Sequence, residues 1–286
     1  MTLNQSISAF LLLFVGFSSC DREEEKIPSY LYIDQFSFSV RPGEGSANQR
    51  LSDAWLYVSN TYYGAYELPA WIPVLEEGLS DILILPGYRQ NGAITNAFKY
   101  SLLNPYTTKI NLEPKKTDTI RPTTSYQDGL KFSTLEDFNG NHLLSKDRDG
   151  DQETQVLLST TQEAFEGSNS GLIELTSAHP AISAEYVIDT KIPQSGDPII
   201  LEFNYKSDIP FSIGFIAYKD AQGSQSLLNA GVLPNKDWTK LYFDFREILN
   251  NANSDFYHLA IAANFRSDTA KSVQRILIDN IKVIHR

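Results

Sequence analysis

The chain has 286 residues, 42% hydrophobic and 21% charged, which suits one or two globular domains and excludes wholesale disorder. Its 24 Lys+Arg against 35 Asp+Glu leave a net charge of −11, which argues against nucleic acid as a partner, since phosphate contacts need clustered cations. A single Cys excludes an intramolecular disulfide, a Cys-based zinc site and an iron–sulfur cluster.

In chain order, the first element is an apolar run from Ile7 to Phe17. About twenty residues are needed to span a bilayer, so this run fits the apolar core of a secretory signal rather than a membrane helix. Ser18-Ser19 and then Cys20 follow. This order resembles a bacterial lipoprotein signal, in which residues 1–19 are removed and Cys20 carries lipid (palmitate among its chains). An ordinary signal peptide with a chance Cys is the other reading. A lone thiol is a liability in an oxidising compartment, which favours the lipidated one.

The next stretch, Asp21-Arg22-Glu23-Glu24-Glu25-Lys26, cannot join an apolar core and reads as a solvated tether over 20–29. Its acidity just after the lipidated Cys resembles the surface-export signal of lipoproteins in the Bacteroidota; a plain periplasmic spacer is the alternative. The resemblance implies attachment to the outer membrane through lipid, at the cell surface or otherwise on the periplasmic face.

From Tyr30 the sequence reads as strands and turns. Leu31–Ile33, Phe36–Val40, Ala54–Val58, Ile82–Leu85 and Thr107–Leu112 alternate or form short apolar runs bounded by Gly, Pro and polar residues. The order of Val58, Gly64–Pro69, Pro73–Gly78 and Pro86-Gly87-Tyr88 resembles the small PEGA and immunoglobulin-like β-sandwich modules of bacterial surface proteins. That module is expected over 30–116. Residues 117–130 are expected to be a linker, because Thr117–Tyr126 is polar and carries Pro122.

Residues 131–286 read as a larger antiparallel sandwich. In Lys240–Phe245 the residues Leu241, Phe243 and Phe245 share one face. In the last strand Ile281 and Val283 are out of phase with Ile276 and Ile278; a β-bulge at Asp279-Asn280 returns all four to the core. Leu135-Glu136-Asp137-Phe138, Trp238 and Ile278–Val283 resemble the jelly-roll domains of carbohydrate-binding modules and galactose-binding-like folds. That resemblance implies adjacent first and last strands, often with a structural calcium between them. Glu136, Asp137 and Asp279 are the candidate Ca²⁺ ligands; capping strand ends or facing water is the alternative. Asp147–Glu153 departs from the EF-hand pattern and reads as a solvated loop.

Sugars stack on aromatic faces, and Tyr62, Tyr63 and Trp71, in or beside predicted turns, are the candidate ligand platforms. Trp55, Tyr57 and Trp238 are expected to be structural. The four His have no metal-ligand spacing, and Gly167–Gly171 has Asn where a hydrolase elbow needs Ser. The expectation is therefore an all-β, non-catalytic surface lipoprotein, a small sandwich followed by a jelly roll, that binds a glycan through the jelly roll. An assembly component that docks envelope proteins is the second reading, and a glycan-active enzyme the third.

Overall fold

The computed structural model describes residues 25–90, 97–219 and 223–286. The apolar run, Cys20 and most of the acidic tether lie outside them. No described helix is long and apolar enough to cross a membrane.

The described residues are built mainly from β-strands. In order the strands are β1 (Ser29–Ile33), β2 (Ser37–Ser39), β3 (Asp53–Val58), β4 (Thr61–Glu67), β5 (Ala70–Val74), β6 (Gly78–Arg89), β7 (Ala97–Lys99), β8 (Tyr106–Leu112), β9 (Thr117–Ile120), β10 (Thr123–Ser125), β11 (Lys131–Glu136), β12 (Leu144–Asp147), β13 (Leu157–Leu158), β14 (Gly171–Thr176), β15 (Ala181–Tyr186), β16 (Ile200–Ser207), β17 (Phe211–Lys219), β18 (Gly223–Val232) and β19 (Asn235–Asp244). Among the described residues one short helix, α1 (Arg246–Ala252), precedes β20 (Phe256–Asn264) and β21 (Val273–His285).

The N-terminal sandwich sets β4-β3-β6-β7, with β8 also on β6, against β5-β1-β9 and the β10-β2 pair. Its alternation is direct. In β3, Ala54, Leu56 and Val58 are buried while Trp55 and Tyr57 face the other way. Ser59 and Asn60 both take positive φ, which closes the two-residue β3–β4 hairpin with the hand that suits twisted strands.

The expected linker is corrected. Thr117–Ile120 is β9, paired in parallel with β1, and Thr123–Ser125 is β10, paired with β2. Tyr126 is buried in the N-terminal core. The segment is polar because it lies at a sheet edge with one face outward. Its Thr and Ile residues suit a half-buried strand, and Pro122 sits between the two strands, where its carbonyl accepts from the Ser37 N–H (2.8 Å).

The C-terminal sandwich has two sheets. One runs β13-β14-β21-β16-β19 with β11 also on β21, and the other runs β12-β15-β20-β17-β18. First and last strands lie side by side, as β11 pairs antiparallel with β21. The register of β16 on β21 slips between Glu202 and Asn204, opposite Lys282 and Asp279, and Asn280 has positive φ. That is the expected bulge, and Ile276, Ile278, Ile281 and Val283 all enter one core with Leu241, Phe243 and Phe245. Gly171 on β14 is required by a close approach: a Cβ there would stand 2.7 Å from the Phe138 ring.

The first of these sheets is buried on both faces. Leu201 and Phe203 point into the jelly-roll core, while Ile200, Tyr242 and Ile284 point the other way and join the N-terminal core. The Arg50 N–H donates to the Tyr242 hydroxyl (2.7 Å), Asn204 Nδ2 to Asn48 Oδ1 (2.7 Å) and Lys282 Nζ to the Ser46 carbonyl (2.7 Å). The two sandwiches therefore share a packed interface, and the molecule is layered with this sheet in the middle.

Candidate ligand-binding face

The layering decides where a ligand can reach the jelly roll. The N-terminal sandwich covers the outer side of the β16–β19–β21 sheet, which leaves the outer side of β12-β15-β20-β17-β18 as the open sheet face. On β17, Phe211, Ile213 and Phe215 face the core, so Ser212, Gly214, Ile216 and Tyr218 face outward. On β20, Tyr257, Leu259 and Ile261 face the core, and Phe256, His258, Ala260 and Ala262 alternate outward.

One end of this face carries a dense aromatic and ionic cluster. The Tyr218 and Phe256 rings are stacked, with centroids 5.1 Å apart and planes 11° apart, and the His258 ring lies 4.7 Å from Tyr218. Lys146 Nζ sits 4.9 Å from the Tyr218 ring centre and donates to its hydroxyl at 2.8 Å. At the centre is Glu185, with 0% exposure although it is outward in the strand sense. Its Oε2 accepts from the Tyr218 hydroxyl (2.7 Å), His258 Nδ1 (2.7 Å) and Lys146 Nζ (3.0 Å), and its Oε1 accepts from Arg148. Burial pushes this carboxyl up, but the bonds from Tyr218, Arg148, His258 and Lys146 outweigh burial and hold it down at about 2. The other ring nitrogen of His258 faces Asp189 Oδ1 at 2.8 Å.

Chemically the cluster is a preorganised binding surface. Glu185 is held ionised by four partners, so it fixes the rings and cations around it instead of exchanging a proton. Lys146, Arg148 and Asp189 keep part of their side chains in water and point polar groups over the face. From the Tyr218 level to the Ser212 level β17 rises roughly 20 Å. The floor between them is apolar: Gly214, Ile216, Ala260 and Ala262, of which Ile216 and Ala260 are 1% and 0% exposed. The face then meets a hollow of about 690 Å³ lined by Ser212, Gly231, Leu233, Ala262, Asn264 and Arg266. At Gly214 a Cβ would stand 2.4 Å from the Leu227 carbonyl oxygen, so the neighbouring strand β18 itself needs that glycine.

The residues expected to bind lie elsewhere. Tyr62 is 48% exposed on β4 and stacks on Trp55 with centroids 5.6 Å apart; Tyr63 beside it is half-buried and donates to Glu76 at 3.4 Å. Trp71 is 65% exposed on β5, against Tyr32 at 5.0 Å. The two sites are on different sheets of the N-terminal sandwich. Trp238, expected in the core, is half-buried at the start of β19 against Phe165 (5.2 Å).

The expected calcium ligands are each engaged by the chain. Glu136 accepts the N–H groups of Phe138 and Leu143, both at 3.1 Å, and Asp137 accepts that of Asn139 at 3.1 Å. Asp279 is fully buried and accepts from Ser170 Oγ (2.6 Å) and the Asn280 N–H (2.7 Å). Among the described residues no three His, Cys, Asp or Glu side chains converge as a metal cage.

No protein-family model matches the chain, and no curated protein matches it. Solved structures give weak likenesses to about half of it. A xylan-binding module of family 22 from Paenibacillus barcinonensis Xyn10C has a TM-score of 0.40 at 12% identity, covering 54% of this chain and 99% of that one. The family 11 carbohydrate-binding module of the cellulosomal cellulase Lic26A-Cel5E of Clostridium thermocellum has a TM-score of 0.35 at 15% identity, over 55% and 95%. A family 61 module in complex with β-1,4-galactotriose has a TM-score of 0.31 at 11% identity, over 48% and 85%.

Proposed function

We propose that the protein is a non-catalytic glycan-binding protein and that the open jelly-roll sheet is its binding face. The observation that carries this reading is the Tyr218–Phe256 stack held over the buried Glu185 by Lys146, Arg148 and His258. Sugar rings bind by laying an apolar face on an aromatic ring while fixed polar groups take the hydroxyls, and this cluster offers both in a rigid arrangement. Rigidity favours affinity, because the cost of ordering the side chains is already met by folding.

In the same reading, residues 1–19 are the export signal and Cys20 the lipid anchor, and the protein displays this face from the outer membrane. The support is the order of apolar run, small residues, Cys and acidic tether.

The test is a glycan array on the chain from Asp21 onward, followed by titration of each oligosaccharide retained. Phe256→Ala should weaken binding about tenfold, the scale of one aromatic contact, with the melting temperature held within a few degrees. If no glycan is retained, or if Phe256→Ala binds as wild type does, the face is not a glycan site.

A further inference from the structure

We propose a second binding site, for an anionic saccharide, in a cleft at the uncovered end of the middle sheet, where the ends of β16, β19 and β21 meet. The cleft has a volume of about 720 Å³, within the usual range for small-ligand sites, and is lined by Lys206, Lys236, Lys271, Arg275, Glu163 and Asp208 among others. This concentration of cations stands out in a chain whose net charge is −11.

The charge bookkeeping within the cleft is uneven. Glu163 and Glu174 engage Arg275, and Asp208 engages Lys271. Lys206 and Lys236 are exposed and carry no ion pair among the described residues. Four cations against three carboxylates leave the concave surface net positive by one charge, with Lys206 and Lys236 as the unpaired ammonium groups.

The cleft is built, not incidental. Gln274, fully buried, accepts from the Arg266 N–H (2.7 Å) and donates to the Arg266 carbonyl (2.7 Å) and Thr269 Oγ1 (2.6 Å), which fixes the loop that carries Lys271. Asp208 Oδ2 accepts the Arg275 N–H at 3.1 Å and ties the opposite wall. In the floor, Leu277 is buried and apolar. An apolar floor and the two unpaired ammonium groups of Lys206 and Lys236 match a sugar ring that bears a carboxylate or a sulfate. This site is independent of the open-sheet face and does not involve Tyr218 or Phe256.

The experiment titrates the chain from Asp21 onward with an oligogalacturonate, a sulfated oligosaccharide of similar length and a neutral oligosaccharide, at two salt concentrations. At least one anionic probe should bind, more weakly at higher salt, and the stronger of the two identifies the acidic group. Lys206→Glu with Lys236→Glu should weaken that binding about tenfold or more without changing the melting temperature, since both side chains are exposed. Phe256→Ala should leave it unchanged, which separates this site from the open-sheet face. If neither anionic probe binds, or if the double variant binds as wild type does, the cleft is not an anion site.

Discussion

Glu202 and Lys240 form an ion pair of 2.8 Å on neighbouring strands with side-chain exposures of only 2% and 1%. Tyr100 donates to the same carboxylate at 3.2 Å, and so does Tyr126. Burial pushes the Glu202 carboxyl up, and the charges of Lys240 and Lys282 more than reverse it. The cluster is seated between the two sandwiches and belongs to both. Glu202→Gln leaves two buried ammonium groups without their counter-charge and should cost about 3–5 kcal/mol. Urea unfolding followed separately by far-UV and aromatic signals should move as one transition. A loss confined to half of the signal would contradict the shared core.

Limited proteolysis distinguishes a linker from an edge strand. Proteinase K, which has little side-chain preference, should cut within the exposed residues 193–196 of the loop after β15 before it cuts within 117–126. Opening β9 requires breaking its ladder with β1, whereas the loop after β15 has few such bonds to lose. Early cleavage within 117–126, read by N-terminal sequencing of fragments, would mean that β9 is loosely held.

Two buried groups each make stability rise with pH, in separate windows. Burial lowers Lys282 to about 8, partly opposed by Glu202. The unfolded chain holds that proton up to about 10.5, so it binds more protons than the folded chain between these values. Stability from this group therefore rises with pH from about 8 to 10.5, and below 8 the buried charge is a net cost of up to about 3 kcal/mol. Lys282→Met should flatten that rise. Glu185, held at about 2, contributes stability above its ordinary 4.5 that is lost as pH falls from there toward 2. Glu185→Gln should weaken the acid-side loss and lower stability at pH 7 by about 1–3 kcal/mol. Denaturation midpoints across pH 2–10 check both signs.

Asp279 gives the calcium expectation a direct test. Burial lifts it to about 6, against the bonds from Ser170 and Asn280. Its contribution grows as pH falls from about 6 toward 3.8, and at neutral pH its charge is a net cost. A calcium ion bound there with Glu136 and Asp137 would offset that cost, by about 2.7 kcal/mol at a hundredfold excess over the dissociation constant. Added calcium should then raise the melting temperature of wild type and leave Asp279→Asn unchanged. A wild-type curve indifferent to calcium and to chelator ends the assignment.

For the address, Cys20→Ala should block cleavage by the lipoprotein peptidase and lipid attachment, read by intact mass and detergent partitioning. Replacing Asp21, Glu23, Glu24 and Glu25 with Ala should move the protein from the surface to the periplasmic face. Protease shaving of intact cells that digests this variant as fast as wild type would show that the acidic tether is no export signal.

The all-β class and the bulge in β21 were legible because each rests on alternation within one strand, whereas the side-by-side first and last strands were expected only from the jelly-roll resemblance. The Asp279-Asn280 bulge follows from the phase of four aliphatic residues alone. The role of outward positions was not legible. Glu202, Lys240 and Lys282 alternate with core residues as polar positions facing water do, yet they face another sandwich. Glu185, His258 and Tyr218 sit in the same kind of position, 73 and 33 residues from one another across the Glu185 contacts. Only strand order brings them together. Thr117–Tyr126 was misread for the same reason: polarity marks one free face, and a linker has two.

The covered sheet also fixes what can be transplanted. A jelly roll whose two outer faces both meet water can be cut out and fused elsewhere, and it keeps its core. Here, excision at residue 131 would lay Ile200, Tyr242 and Ile284 bare beside an ionic cluster stripped of its phenols. The fragment would bring a sticky surface to any new host. The jelly-roll half of this chain is inherited together with its partner sandwich, as a single part.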